Sequence, residues 1–308
     1  DRKNSLDGLK EAHFRGAGYG RFEWTVGQEE YVKQYLAPSA HDMSAPPEYL
    51  VSEMDYAGVE WALLHRNPYL GIGNDFIASC VQRFPKRLKG LAHIEEWLIE
   101  TDPEEAVRKL EKAVRQGLSG LQFLPGQRML YGQRGPWDSG DFRPFWDGVA
   151  ELGIPVFFTL SPHEQPLVGS YLNELKTLHR WMERYSDVTV IQTHGLQWDL
   201  FREGESVKLP EAVWAPFDNP NLHLQLLIPI ALGGVWDLPM PQIWPTLEEC
   251  VKRVGTNRLL WGTDMPIVLR HWTYKQNIDL IRNYCDFLTS EEKDKILGYN
   301  MRRIISTE

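Results

Sequence analysis

Short apolar, β-branched runs alternate with amphipathic helical segments along most of this chain, and that alternation points to a parallel sheet built from strand–helix units. Seven strands are predicted, over residues 60–64, 88–94, 120–124, 155–159, 188–193, 223–227 and 259–263. Helices are predicted over residues 46–57, 74–84, 141–152, 168–185, 242–254, 273–287 and 290–304, with a further one opening at Pro103. That last helix has the clearest signals. Asp102 is placed to cap it, Pro103 fits its first position, Glu104 and Glu105 oppose the helix dipole, and Gly117 stops it. On the helix over residues 74–84, Phe76, Ile77, Cys80, Val81 and Phe84 are expected to face inward. A closed α/β barrel needs eight strands. The gap falls at the front, because residues 1–45 show no convincing strand and are expected to form an irregular N-terminal segment of a single domain over residues 1–308. The competing fold, an open doubly wound sheet, lacks its glycine-rich phosphate loop. Gly71-Ile72-Gly73 follows a Pro-Tyr loop and reads as a turn.

The balance of residues excludes several function classes. Hydrophobic residues make up 43% and charged residues 24%, enough for a sizeable core. The formal net charge of -9 argues against a nucleic-acid partner, which demands a concentrated positive surface. No apolar run is long enough for a membrane span, and the polar first ten residues show no signal peptide. Cys80, Cys250 and Cys285 are scattered and read as small buried apolar groups, which suits a reducing cytoplasm. Trp, Tyr and Phe number 12 each, and are expected to fill a core or an oligomer interface.

In a barrel, chemistry sits at the C-terminal ends of the strands, where side chains converge on one mouth. Those ends carry His65-Arg66-Asn67, His93, Gln122, Thr159, then Gln192-Thr193-His194-Gly195 and Thr263-Asp264; the strand over 223–227 ends in apolar residues. A carboxylate at such a mouth can bind a divalent metal, accept a proton or cap the next helix. For Asp264 the helix cap or turn is an even alternative, and for His194 so is a hydrogen-bonded core histidine. His163, beside Glu164 in a loop, suits a metal ligand or a solvated turn. His65 beside Arg66 suits an anionic substrate or a partly exposed strand end. His93 reads as a satisfied core group, and His13, His41, His179 and His271 as structural or surface residues. No Cys/His spacing resembles a zinc finger, and no Gly-x-Ser-x-Gly elbow is present.

Four motifs, in order, carry a resemblance. Residues 54–59 (MDYAGV), 190–195 (VIQTHG), 259–266 (LLWGTDMP) and 296–304 (ILGYNMRRI) resemble the amidohydrolase-related family, the branch of the amidohydrolase superfamily that holds aromatic-acid decarboxylases and lactone hydrolases. The resemblance covers the chain from about residue 46 onward. It implies a distorted (β/α)8 TIM barrel with one divalent metal, zinc first, with manganese and iron as alternatives. It also implies that Asp264 and His194 carry catalysis and ligate the metal, with His163 as a third ligand and Arg66 and His65 binding substrate. The family's His-x-His or acid-x-His pair does not occur before residue 46. Thr159 stands where the fifth strand ordinarily ends in histidine, and no lysine bridges two metals from the fourth strand.

The function so implied is a metal-dependent decarboxylase or hydrolase acting on a small aromatic or unsaturated carboxylic acid, in a cytoplasmic homo-oligomer without nucleic-acid or membrane partners. The incomplete ligand set supports a second reading. In it the chain is a non-catalytic or weakly metallated subunit paired with a paralogous chain, as in oxygenases built from two unlike amidohydrolase-type subunits.

Overall fold

The computed structural model describes residues 15–26, 28–66, 71–133 and 135–305. His13 and Asn67 lie outside them, as do the first ten residues. The segment expected to be irregular carries an antiparallel sheet: β1 (Arg15–Gly16), β2 (Arg21–Val26) and β3 (Glu29–Gln34), paired in that order. β3 is exposed along its whole length. Apolar and charged side chains mix on both of its faces, so the in–out alternation that announces a half-buried strand is absent.

The parallel strands begin after α1 (Pro47–Ala57), which ends at Gly58 in the left-handed conformation, φ 69°. Then follow β4 (Ala62–Leu64), α2 (Asn74–Arg83), β5 (Leu88–Gly90), α3 (Leu98–Thr101), α4 (Pro103–Arg115) and β6 (Leu121–Phe123). Next come α5 (Arg143–Glu151), β7 (Val156–Phe158), α6 (Leu167–Arg184), β8 (Val190–Gln192) and a short hairpin of β9 (Arg202–Glu203) and β10 (Ser206–Val207). The chain continues through β11 (Leu222–Leu226), α7 (Pro229–Leu232), α8 (Trp244–Val254), β12 (Leu259–Trp261), α9 (Tyr274–Tyr284), α10 (Ser290–Asp294) and α11 (Asn300–Ile305). A π-helical turn, Lys295–Tyr299, joins the last two helices.

All seven predicted strands are present, each within or close to its predicted span. β6, β7, β8, β11 and β12 form one parallel sheet in that order, and β4 pairs with β5 in parallel. A parallel bridge from Ala92 to Leu121 joins the two groups into one curved succession from β4 to β12. Among the described residues no pairing joins β12 to β4. Side-chain parity follows the pleat. Leu63, Leu91, Phe157, Ile191 and Leu260 point to the concave side, where Ile305 of α11 joins them. Phe123, Phe158, Val190 and Leu224 point outward into the main core beneath the helices. That core contains the buried tryptophans: the Trp146 and Trp181 rings meet edge to face at 5.2 Å, and Trp146 donates its indole N–H to the Trp137 carbonyl at 2.9 Å.

Asp102 accepts a hydrogen bond from the Glu105 N–H at 2.9 Å, so the predicted cap is in place. The three cysteines are buried and unpaired with one another, also as predicted. Phe76 is a correction. Ile77 and Cys80 of α2 are buried, but Phe76 is 62% exposed, because a helix stripe this narrow cannot turn both Phe76 and Ile77 inward. No helix among the described residues is long and apolar enough to cross a membrane.

Candidate active site

Three residues meet at the C-terminal ends of β4, β8 and β12. The Nε2 atom of His65 lies 3.5 Å from one carboxylate oxygen of Asp264, and Nε2 of His194 lies 3.7 Å from the other. The two imidazole rings stand edge to face, 5.9 Å between centroids. His194 and Asp264 both take the left-handed backbone conformation, φ 61° and 54°. Non-glycine residues adopt it rarely and at a cost of about 1–3 kcal/mol, and such residues concentrate at functional sites. Here the conformation turns each side chain inward as its strand ends.

A row of strand glutamines beneath the mouth orients these groups. Gln122 of β6 accepts from the Arg66 backbone N–H at 3.2 Å, which fixes its amide, so its NH2 group donates to Nδ1 of His65 at 2.9 Å. In neutral His65 the proton therefore sits on Nε2 and points at Asp264. Burial holds the His65 pKa below its ordinary value, in keeping with a neutral donor. His194 is set the other way. The Thr193 hydroxyl donates to the Phe158 carbonyl at 2.9 Å and so can only accept from Nδ1 of His194 at 3.0 Å. Nε2 of neutral His194 then turns a lone pair toward Asp264. Thr159, at the expected histidine position, supports this network through its hydroxyl, 2.8 Å from that of Thr193. Gln225 of β11 accepts from the His194 backbone N–H at 3.0 Å. The strand ends in the apolar Leu226 and Leu227 as expected, and Gln225, a lone glutamine in the run LHLQL, lies just before that end. Gly262 makes room for it, since a Cβ there would stand 2.4 Å from its amide nitrogen.

Asp264 is ionised. Burial works against its charge, but the close approach of His194 and His65 and the nearby Arg270 guanidinium outweigh it and hold the carboxyl below its usual range.

Two predicted site residues are placed elsewhere. Arg66 is buried and its guanidinium pairs with Glu96, itself fully buried, so its charge is matched within the protein rather than free for a substrate. Burial raises the Glu96 pKa and Arg66 opposes that rise. His163 does not join the mouth cluster. Its ring lies over Gly126 and its Nε2 faces Glu174 at 3.7 Å. His93 is the satisfied core group expected: Nε2 accepts from the Arg66 N–H at 3.1 Å, Nδ1 meets the Asn74 side-chain oxygen at 3.1 Å, and burial drives its pKa well down. His41 packs on Tyr19, and His179 lies beside Glu183.

The motifs imply a divalent ion, which would need a set of converging donors. Among the described residues no group of three or more His, Cys, Asp or Glu side chains could hold a metal ion. His163 is turned away to Glu174, and the Nε2 of His65 is committed as an N–H donor, which leaves it no lone pair for a metal. These residues as arranged do not fit the ion, so no step below is routed through one.

The site opens into a cavity of about 1250 Å³. It runs from the mouth down the gap between β4 and β12 to Leu297 and Met301.

Comparison with known proteins agrees with this architecture. A family model described as amidohydrolase matches residues 24–306. Among solved structures, 2,6-dihydroxybenzoate decarboxylase in complex with 2,6-dihydroxybenzoate is 17% identical with TM-score 0.62, over 85% of this chain and 88% of that one. A probable 2-pyrone-4,6-dicarboxylic acid hydrolase from Acinetobacter baumannii is 18% identical with TM-score 0.65, over 88% and 94%. A dihydroxybenzoic acid decarboxylase from Polaromonas sp. JS666, with bound manganese and the inhibitor 2-nitroresorcinol, is 18% identical with TM-score 0.62, over 85% and 86%. At such identities the structures establish the fold alone. No curated protein matches the chain. The family match spans nearly all of the sequence, and the chain belongs to the amidohydrolase family.

Proposed function

We propose that the chain is a lyase or hydrolase acting on a small aromatic or unsaturated carboxylic acid, with Asp264 and His194 as its proton-transfer pair and His65 as a fixed donor beside them. The observation that carries this reading is the opposite setting of the two histidines around one ionised carboxylate. His65 offers a permanent N–H, and His194 offers a nitrogen that gains or gives a proton while Asp264 stabilises its charged form. In a decarboxylation, protonated His194 would deliver its proton to the ring carbon bearing the carboxylate. The carbon–carbon bond would then break, its electron pair returning to the ring as carbon dioxide leaves. In a lactone hydrolysis, neutral His194 would take a proton from the attacking water and His65 would donate to the developing oxyanion. The solved relatives named for both reactions support the substrate class.

Assay of purified protein with 2,6-dihydroxybenzoate and with 2-pyrone-4,6-dicarboxylate separates the two chemistries, by carbon dioxide release or ring opening. Asp264→Asn is expected to lower turnover by about a hundredfold or more; a fully active variant would overturn the proposal. The subunit reading keeps one specific support, the diversion of His163 to Glu174 in place of a third metal donor. A chain that is stable and active alone eliminates it.

A further inference from the structure

Arg270 is the one guanidinium at the cavity mouth, among the described residues, without a partner carboxylate. The other cavity arginines are engaged: Arg66 with Glu96, Arg282 with the Ala57 carbonyl and Arg302 with Glu60. Arg270 lies just past Asp264, in the turn Ile267–Arg270, and lines the same cavity. Among the described residues its buried Nε has no hydrogen-bond partner, and no carboxylate there lies within ion-pair distance of the group. An unmatched buried donor on a cation is costly, and such a group is ordinarily satisfied by a ligand when the protein itself provides nothing. The Arg270 guanidinium carbon lies over the ring of Tyr35, 5.9 Å from its centroid, and Tyr35 also lines the cavity. Tyr35 directly follows β3, so the N-terminal sheet ends in one wall of this subsite.

We propose that Arg270 binds the carboxylate of the substrate, forming an anion subsite between Tyr35 and Asp264. A planar guanidinium recognises a carboxylate by two parallel N–H···O bonds, and Asp264, itself an anion, needs a cation nearby if an acid is to enter beside it. The assignment rests on the acid-substrate reading above for its ligand class, and it moves the carboxylate contact from Arg66 to Arg270.

The test is equilibrium binding, by calorimetry, of 2,6-dihydroxybenzoate and of resorcinol, two rings that differ only by the carboxylate. They are titrated into the wild type, Arg270→Gln and Arg270→Lys, each checked for an unchanged melting temperature. Arg270→Gln is expected to weaken 2,6-dihydroxybenzoate by about tenfold or more and leave resorcinol within about twofold, with Arg270→Lys in between. Equal affinity for the acid in the wild type and Arg270→Gln overturns the assignment. So does an equal loss for both ligands, or failure of the wild type to bind the acid. If the acid binds in this Arg270-dependent way but is not turned over, the reaction proposed above fails while the subsite stands. Turnover with unchanged acid binding in Arg270→Gln gives the reverse.

Discussion

Gln122 shows how one neutral side chain determines the chemistry of another. Its amide orientation is dictated by the Arg66 N–H, and it in turn dictates which nitrogen of His65 carries the proton. In the wild type, long-range ¹⁵N–¹H correlation spectra are expected to show His65 protonated on Nε2 only; Gln122→Leu is expected to yield a mixture of tautomers. A single unchanged tautomer in the variant would refute the dependence. Arg66 makes the opposite point. It looks like a substrate residue in sequence because it follows a histidine at a strand end, yet its guanidinium stabilises the buried Glu96. Arg66→Met leaves that carboxylate uncompensated, and chemical denaturation should register a loss of about 3–5 kcal/mol. A loss under about 1 kcal/mol, within the range of an exposed pair, would show that Glu96 takes up a proton instead. Neither partnership was legible in the sequence, because Arg66, Glu96 and Gln122 are brought together only when three successive strands align.

Among the elements, the helices were the more legible, because their signals are local. The Asp102 cap, the Pro at the next position and the Gly117 stop lie within a few residues of the backbone they satisfy. Asp102→Ala is expected to cost about 1 kcal/mol in denaturant unfolding, since one N–H of the first turn loses its acceptor. The strands were legible by their apolar runs, but their ends were not. Residues 188–193 alternate as a strand, yet pairing stops at Gln192, and Thr193 and His194 leave the ladder to build the site. The N-terminal strands lack that signal for a related reason. β3 is exposed along its whole length and Phe22 is the buried residue among the described side chains of β2, so burial imposes no regular period on them. Gly262→Ala tests how closely the elements are fitted. A methyl there meets the Gln225 amide, and the variant is expected to lose turnover through a displaced His194 while the melting temperature changes little.

At the scale of the whole molecule, Glu174, whose carboxylate meets the Trp137 indole of the main core, links burial to stability. Burial pushes the Glu174 pKa up from 4.5 to about 7, against the hydrogen bond that its carboxylate accepts from the Trp137 indole at 2.8 Å. In the unfolded chain the same group titrates at its ordinary value, so between about pH 4.5 and pH 7 the folded state holds the extra proton. The Glu174 contribution is therefore most favourable below that window and is lost as pH rises through it. Glu174→Gln is expected to flatten this part of the stability–pH profile, measured as denaturation midpoints between pH 4.5 and pH 7. An unchanged slope would assign the dependence to other groups. His163, whose pKa burial lowers, faces the same carboxylate, so the variant should also alter its titration.

The sequence alone determined the succession of strands and helices, the parallel direction of the seven strands and the placing of Asp264 and His194 at their C-terminal ends. Those properties follow from periodicity, caps and the handed connection of strand to helix, all of them local. Only the tertiary structure decided that His65 and Gln122 belong with Asp264, that Arg66 is neutralised by Glu96, that His163 turns to Glu174, and that the buried Nε of Arg270 has no hydrogen-bond partner among the described residues. Charge pairing and tautomer choice depend on which side chains meet across strands far apart in sequence. That is set by the curvature of the sheet and by the space that glycine leaves at positions such as Gly262.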